Sequence, residues 1–276
     1  VTISEALQYA CLRLIGSESP EIDSQVLLCH TLDCQSTYLH TWPDKNLTDI
    51  QQADFKTLIQ QREQGKPIAH LIGQRGFWSL DFKVTPDTLI PRPDTELLVS
   101  LALEIIKSNM VVVDLGTGTG VIALSLAEEV TTAIILAMDS SGAALEVAQQ
   151  NASEYQLTNV SFWQGSWLDA IIDNSLDIVI SNPPYIENDD PHLSQGDVRF
   201  EPRTALVSGG DGLNDIRQII KQAQRCLKPQ GWLLIEHGYH QARQVQQLFL
   251  EASFTDVLSR QDYGGNDRVV MGRLAV

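Results

Sequence analysis

Residues 110–120 read MVVVDLGTGTG, a valine-rich run, an aspartate, and glycines at alternate positions 116, 118 and 120. β-Branched side chains suit a pleated, buried surface, so the run reads as a strand. Glycines directly after it let the backbone turn sharply and approach a ligand where a Cβ would obstruct. A helical segment follows. Strand, glycine turn and helix open a nucleoside-binding α/β domain. The spacing is G-x-G-x-G, not the dinucleotide G-x-G-x-x-G, and no GK[ST] follows, which excludes a Walker A loop.

Working outward, the alternation continues. AIILAMD (133–139) is a strand, 141–155 a helix, VSFW (160–163) and LDIVIS (176–181) strands. A long loop (186–212) precedes a helix over 213–227, strand WLLIEHG (232–238) and a helix over 241–252. Two extended runs, 255–262 and 268–274, flank GGND. This pattern predicts a parallel sheet with helices on both faces, closed by an antiparallel strand. Asp139 ends the second strand of the series, where a carboxylate can accept hydrogen bonds from both ribose hydroxyls of a nucleoside cofactor. A pyrophosphate would be repelled by Asp114, whereas the sulfonium and ammonium of S-adenosylmethionine are cationic. S-adenosylmethionine is therefore the expected cofactor and S-adenosylhomocysteine the product, with Asp114, Gly116, Thr117, Gly118, Thr119, Gly120 and Asp139 around it. The loop resembles the signature of class I methyltransferases, which implies a Rossmann-like seven-stranded sheet whose last strand is antiparallel.

A second motif, SNPPYI (181–186), ends the fourth strand at the carboxyl edge, where such sheets bind ligands. Methyl transfer to a planar NH2 group is helped by acceptors for both N–H bonds, which fix its plane. The Asn182 side-chain carbonyl and the Pro183 backbone carbonyl can serve. Pro183 and Pro184 remove N–H donors, leaving an acceptor-only edge. Tyr185 offers a flat face for stacking. Asn182, Pro183 and Tyr185 are the candidate catalytic residues, and Asn182 to Tyr185 the substrate-binding segment. The tetrapeptide resembles the [DNS]PP[YFW] signature of amino-methyltransferases, which act on adenine N6, cytosine N4 or glutamine N5. No cysteine stands near it to act as the nucleophile of carbon methylation.

Upstream, the period is helical. Ile3, Leu7, Ala10, Leu14 and Ile15 share one spacing. Ser19-Pro20 reads as a cap and first-turn proline opening a helix with Ile22, Val26, Leu27 and Cys29. Thr48 and Gln51 fit a capping box for a helix stopping at Gly65. Residues 78–84 alternate as a half-buried strand through Trp78, Leu80, Phe82 and Val84, and TLIPRPDTE (88–96) is a stiff connector. The expected division is a helical substrate-recognition domain over 1–75, a strand or hairpin and proline-rich linker over 76–96, and a methyltransferase domain over 97–276.

The formal charge is −16, with 6 Lys+Arg against 9 Asp+Glu in residues 1–75 and 13 against 26 beyond. Nucleic-acid binding relies on lysine and arginine neutralising phosphates, so this balance argues against a nucleic-acid substrate. The four cysteines form no CxxC pair, which suggests reduced thiols and no metal site. No apolar run reaches membrane-spanning length and the N-terminus lacks signal-peptide features. A cytoplasmic monomer is the expectation.

PIAHLIG (67–73), FWSLDF (77–82), TLIPRPDTE, DLGTGTG (114–120), SNPPYI, DPHLSQGDVRFEP (190–202) and DYGGNDRV (262–269) together resemble the HemK/PrmC family of release factor glutamine methyltransferases. The resemblance implies N5-methylation of the glutamine in the GGQ motif of class I peptide chain release factors. It also implies that Trp167 lies beside the cofactor's adenine and that Asn182 contacts cofactor as well as substrate. Ser166 stands where relatives often carry aspartate, so a hydroxyl replaces a carboxylate near that ring. Arg92 and Glu96 are candidates for an ion pair or lid, Phe200, Glu201 and Pro202 for ordering substrate, and His237 for a structural role. The competing reading is an adenine-N6 nucleic-acid methyltransferase.

Overall fold

A computed structural model describes all 276 residues, which form two compact units. The first comprises Val1–Gln74 together with His192–Phe200. Its helices are α1 (Ile3–Arg13), α2 (Pro20–Leu32), α3 (Ser36–Thr41), α4 (Asp49–Glu63) and α5 (Ile68–Ile72). Capping boxes at Thr2/Glu5 and Thr48/Gln51 each satisfy two backbone N–H groups at the start of α1 and α4. Ser19 makes no cap bond, because its hydroxyl donates to Asp23 instead. The apolar stripes meet in a core of Ile3, Ala10, Leu27, Leu28, Phe55 and Ile59, while Ile15 and Ile22 face solvent.

The long loop after the SNPPY strand is divided by the structure, since its middle belongs to this helical unit. Arg62 of α4 bridges the buried Asp23 at 2.8 Å and Asp197 at 3.0 Å. Arg199 donates to the Gln64 carbonyl, and its guanidinium lies 1.7 Å from where a Cβ on Gly65 would stand. Gly65, with φ 91°, is required for its dihedral, and a Cβ there would displace the Arg199 guanidinium from the Gln64 carbonyl.

The second unit comprises Arg75–Pro191 and Glu201–Val276. Residues 78–84 do not form one strand. Trp78, at φ 55°, turns the chain between β1 (Gln74–Phe77) and β2 (Leu80–Lys83), and the buried alternation runs from Leu80 through Phe82 to Val84. Then come α6 (Glu96–Ile105), β3 (Val111–Leu115), α7 (Val121–Glu129), β4 (Ile134–Asp139), α8 (Gly142–Glu154), β5 (Val160–Gln164) and β6 (Leu176–Ser181). They are followed by α9 (Asn214–Cys226), β7 (Leu227–Glu236), α10 (Ala242–Glu251), β8 (Phe254–Gln261) and β9 (Asp267–Leu274).

The seven-stranded sheet has the order β5-β4-β3-β6-β7-β9-β8, with β9 antiparallel to both neighbours. Alternate side chains of each strand go to opposite layers. Val112, Ile178 and Ile180 pack with α6 and α7, and Val113, Leu115 and Val179 pack with α9 and α10. In α9 the buried positions Ile216, Ile219, Ile220 and Ala223 fall on one stripe. Strand order reverses between β3 and β6, so the crevice at their carboxyl ends is the topological switch point. Leu115 pairs with Ser181 there, and the Ser181 hydroxyl donates to the Leu115 carbonyl at 2.8 Å. The glycine loop and the NPPY segment thus leave the sheet side by side.

Candidate active site

A cavity of about 490 Å³ opens at this switch point, lined by Gly116, Gly118, Asp139, Trp167, Asn182 and Pro184 among the residues singled out in the sequence. Its other walls are Pro86–Leu89, Met138–Ser141, Ala144, Gly165, Ser166, Pro202, Thr204, Ala205, Asp215 and Gln218. Three carboxylates line it, from Asp87, Asp139 and Asp215, and no lysine or arginine does. Such a pocket favours a cationic guest and disfavours a polyanion.

The glycine loop is built from below. Asp114 is buried and accepts from the Thr117 hydroxyl at 2.6 Å and the Ala123 N–H at 3.3 Å through one oxygen. Its other oxygen, Oδ1, is buried with no partner. Burial pushes this carboxyl up to about 7, against the two hydrogen bonds that hold it down. Asp114 therefore supports the loop from beneath and does not line the cavity. Thr117 and Thr119 are also buried, and Gly120 is needed where its helix packs, since a Cβ there would meet Leu124 at 2.9 Å and Ala148 at 3.2 Å. A Cβ on Gly118 would meet nothing within 4 Å, so that glycine faces open space at φ 55°.

Asp139 is aimed by the backbone. Its Oδ2 accepts from the Gly118 N–H and its Oδ1 from the Ser141 N–H, both at 2.9 Å. Each oxygen keeps a lone pair for a ligand hydroxyl. Trp167, at φ 45°, lays its indole 3.6 Å from the Cβ position of Gly116 and forms a flat wall beside Ser166. This donor set fits S-adenosylmethionine: a flat wall for adenine, an aimed carboxylate for ribose, and a buried, unpartnered carboxylate oxygen beneath the loop for positive charge.

Across the crevice, Asn182 donates its side-chain Nδ2–H to the Thr95 hydroxyl at 3.1 Å. That leaves the Asn182 carbonyl oxygen as the acceptor the amide chemistry calls for. Pro183 is buried behind it. Tyr185 packs half-buried against the α9–α10 layer, its hydroxyl donating to Glu236 at 3.3 Å and its carbonyl accepting from Gln241 at 3.0 Å. Burial, and then Glu236, raise the phenol's pKa. Tyr185 is thus a wall behind the site and does not line the cavity. Glu236 is itself buried, and burial pushes its carboxyl up to about 7 while a side-chain hydrogen bond with Thr95 and the charge of Arg268 pull it down.

Arg92 and Glu96 do not pair. The buried Glu201 carboxylate accepts from Arg92 at 2.5 Å and from the Ile90 N–H at 3.1 Å, whereas Glu96 accepts from the Trp78 N–H. Glu201 so ties the connector before α6 to the end of the long loop, and residues on both sides of that tie, Pro86–Leu89 and Pro202–Ala205, form cavity walls. His237 is fully buried, with Nδ1 2.9 Å from the Gly238 carbonyl, and does not line the cavity. Sequence reasoning missed Thr95, Asn151 and Glu236. Asn151 alone carried a signal, as a polar residue on the inner stripe of α8. Its amide donates to the carbonyls of Thr119 and Lys83 and ties the glycine loop to β2.

Fold, switch-point crevice and donor set define a class I methyltransferase. The profile of a methyltransferase domain matches residues 106–265, and that of the PrmC N-terminal domain matches residues 5–73. The release factor glutamine methyltransferase of Aliivibrio fischeri is 48% identical over 96% of this chain and 94% of its own length. That of Vibrio cholerae is 47% identical over 99% and 97%, and that of Escherichia coli 45% over 97% of each. The chain belongs to the release factor glutamine methyltransferase family. Two solved structures share the fold. A Pyrococcus furiosus methyltransferase has a TM-score of 0.56, 15% identity, and coverage of 81% of this chain and 100% of its own. The ribosomal protein L11 methylase of Lactobacillus delbrueckii has 0.52, 19%, 70% and 84%. No helix is long and apolar enough to cross a membrane.

Proposed function

We propose that this chain transfers a methyl group from S-adenosylmethionine to the side-chain amide nitrogen (N5) of the glutamine in the GGQ motif of class I peptide chain release factors. When bound, S-adenosylmethionine supplies an electrophilic methyl group on a positively charged sulfur. Gly116 and Gly118 leave room for it, Asp139 takes the ribose hydroxyls, Trp167 faces the adenine, and Asp114 supplies the buried negative charge. Asn182 Oδ1 and the Pro183 carbonyl hold the substrate amide by its N–H groups, so positioning supplies much of the rate. Once methylated, the nitrogen is acidic enough to release its proton to water. The reading places the protein in the cytoplasm, acting as a monomer.

The observation that carries it is the Asn182 amide, tethered through its Nδ2 so that an acceptor faces a crevice lined by three carboxylates and by no lysine, arginine or histidine. The same charge balance weighs against the adenine-N6 alternative. Incubation with a radiolabelled methyl donor offers the test, with release factor, its GGQ-to-GGA variant and DNA as acceptors. Label is expected in the release factor only, and label in DNA alone would overturn the reading.

A further inference from the structure

We propose that Gln218 reads the adenine of the cofactor, its side-chain amide hydrogen-bonding the exocyclic amino group and a ring nitrogen beside it. The inference rests on S-adenosylmethionine as the cofactor.

The turn that carries Trp167 is clamped from α9. The Asp169 N–H closes it on the Ser166 carbonyl at 3.1 Å, with Trp167 left-handed inside it at φ 45°. Gln222 of α9 holds the residues that follow. Its carbonyl accepts from the Leu168 N–H at 2.8 Å and its NH2 donates to Asp169 at 2.6 Å. Arg225 donates to the carbonyls of Leu168 at 2.9 Å and Ile171 at 2.7 Å. The indole is thereby fixed against one face of α9. Gln218, Gln222 and Arg225 share that face, at spacings of four and three residues.

Gln218 is one helical turn, about 5.4 Å, from Gln222. It lies on the side toward the cavity, which Gln218 and Trp167 both line and Gln222 does not. Helical side chains lean toward the N-terminus, which carries the Gln218 amide further that way. Gln218 is exposed, and its amide has no hydrogen-bond partner within the chain. A clamped indole and an uncommitted amide thus stand together at one wall of the cavity.

The chemistry of the pair selects its guest. A base stacked on an indole keeps its polar groups at its rim, where a side chain beside the stacking wall can reach them. Adenine places an amino donor there next to ring-nitrogen acceptors, and a side-chain amide matches both with its carbonyl and its NH2. Neighbouring groups match less well. Ser166 offers a single oxygen, and an ionised Asp215 can only accept, with one oxygen already taking the buried Ser208 hydroxyl at 2.6 Å. Asn182, the other side-chain amide lining the cavity, is tethered to Thr95.

Calorimetry on the full chain tests this with two ligands, S-adenosylhomocysteine and an analogue in which unsubstituted purine replaces adenine, so that only the amino group is lost. Wild type, Gln218→Met and Gln218→Glu are compared, with melting curves to confirm folding. Wild type is expected to prefer the adenine ligand by ~3- to 10-fold, the worth of one neutral hydrogen bond. Methionine keeps the length of the side chain without its amide, so Gln218→Met should bind both ligands alike. Gln218→Glu still accepts from the amino group and should keep the preference. A packing role would weaken both ligands equally and leave their ratio at the wild-type value. Gln218→Met with the wild-type ratio would overturn the inference, as would a wild type without preference or a Gln218→Glu variant that binds both alike. Failure of wild type to bind S-adenosylhomocysteine at all would instead overturn the cofactor reading.

Discussion

Asp114 is the residue whose replacement gives the most informative pair of opposite effects. Its carboxyl is buried beneath the glycine loop with one oxygen unpartnered, and its pKa stands at about 7 against 3.8 in solution. Between those values the folded protein holds a proton that the unfolded chain has released. Stability from this group therefore falls as pH rises through the window, and the loss is complete once pH exceeds about 7. At 1.36 kcal/mol per unit, the Asp114 contribution falls by on the order of 2–3 kcal/mol between about pH 5 and pH 8. Asparagine keeps an acceptor for Thr117 but cannot ionise. Asp114→Asn is therefore expected to be least stable relative to wild type at pH 5 and to gain by that amount at pH 8. Urea unfolding of both proteins at the two pH values measures the difference, in which all other titrating groups cancel. Binding should move the other way. The variant lacks the buried negative charge and is expected to bind S-adenosylmethionine at least ~10-fold more weakly at pH 8. A variant-minus-wild-type difference that does not change with pH, or undiminished cofactor affinity, would refute the reasoning.

Asn182→Ala should reduce methyl transfer below ~1% of wild type while calorimetry finds cofactor affinity within about threefold, because the amide clamp acts on substrate. Glu201→Gln removes the charge that ties Arg92 and the Ile90 N–H. It is expected to cost ~1–3 kcal/mol in chemical denaturation and to speed cofactor dissociation in stopped flow by loosening two cavity walls. Gly120→Ala forces a Cβ against Leu124 and Ala148 at a positive φ, and should lower stability by ~1–3 kcal/mol and weaken cofactor binding, both measurable by melting with and without ligand.

Much of the sheet could be read locally. The valines of β3, the spacing of Gly116, Gly118 and Gly120, and the prolines after β6 each impose their geometry through their own backbone and immediate neighbours. Asp139 was legible because a strand end fixes where its side chain emerges. What escaped is long-range. Thr95 and Asn182 lie 87 residues apart and Tyr185 and Glu236 lie 51 apart. No periodicity encodes such pairs; the first exists because the entry to α6 meets the end of β6, the second because β6 and β7 are neighbours in the sheet. The sequence reading put Asp114 beside the cofactor on the strength of its charge, but strand alternation points it beneath the loop, where Thr117 and Ala123 hold it. The 186–212 loop reads as one irregular segment, and only the folded chain reveals that Asp197 and Arg199 anchor its middle to α4. Trp78 looked like the start of a strand because its ring is large and apolar, yet its positive φ makes the turn of a hairpin.

The most direct measurement is peptide mass spectrometry on release factor incubated with the wild-type enzyme and S-adenosylmethionine, alongside Asn182→Ala and a DNA acceptor. The prediction is a single added methyl group on the glutamine of the GGQ motif, absent with Asn182→Ala and with DNA unmodified. A methyl group on any other residue, or on adenine with the release factor untouched, would contradict glutamine N5 as the acceptor.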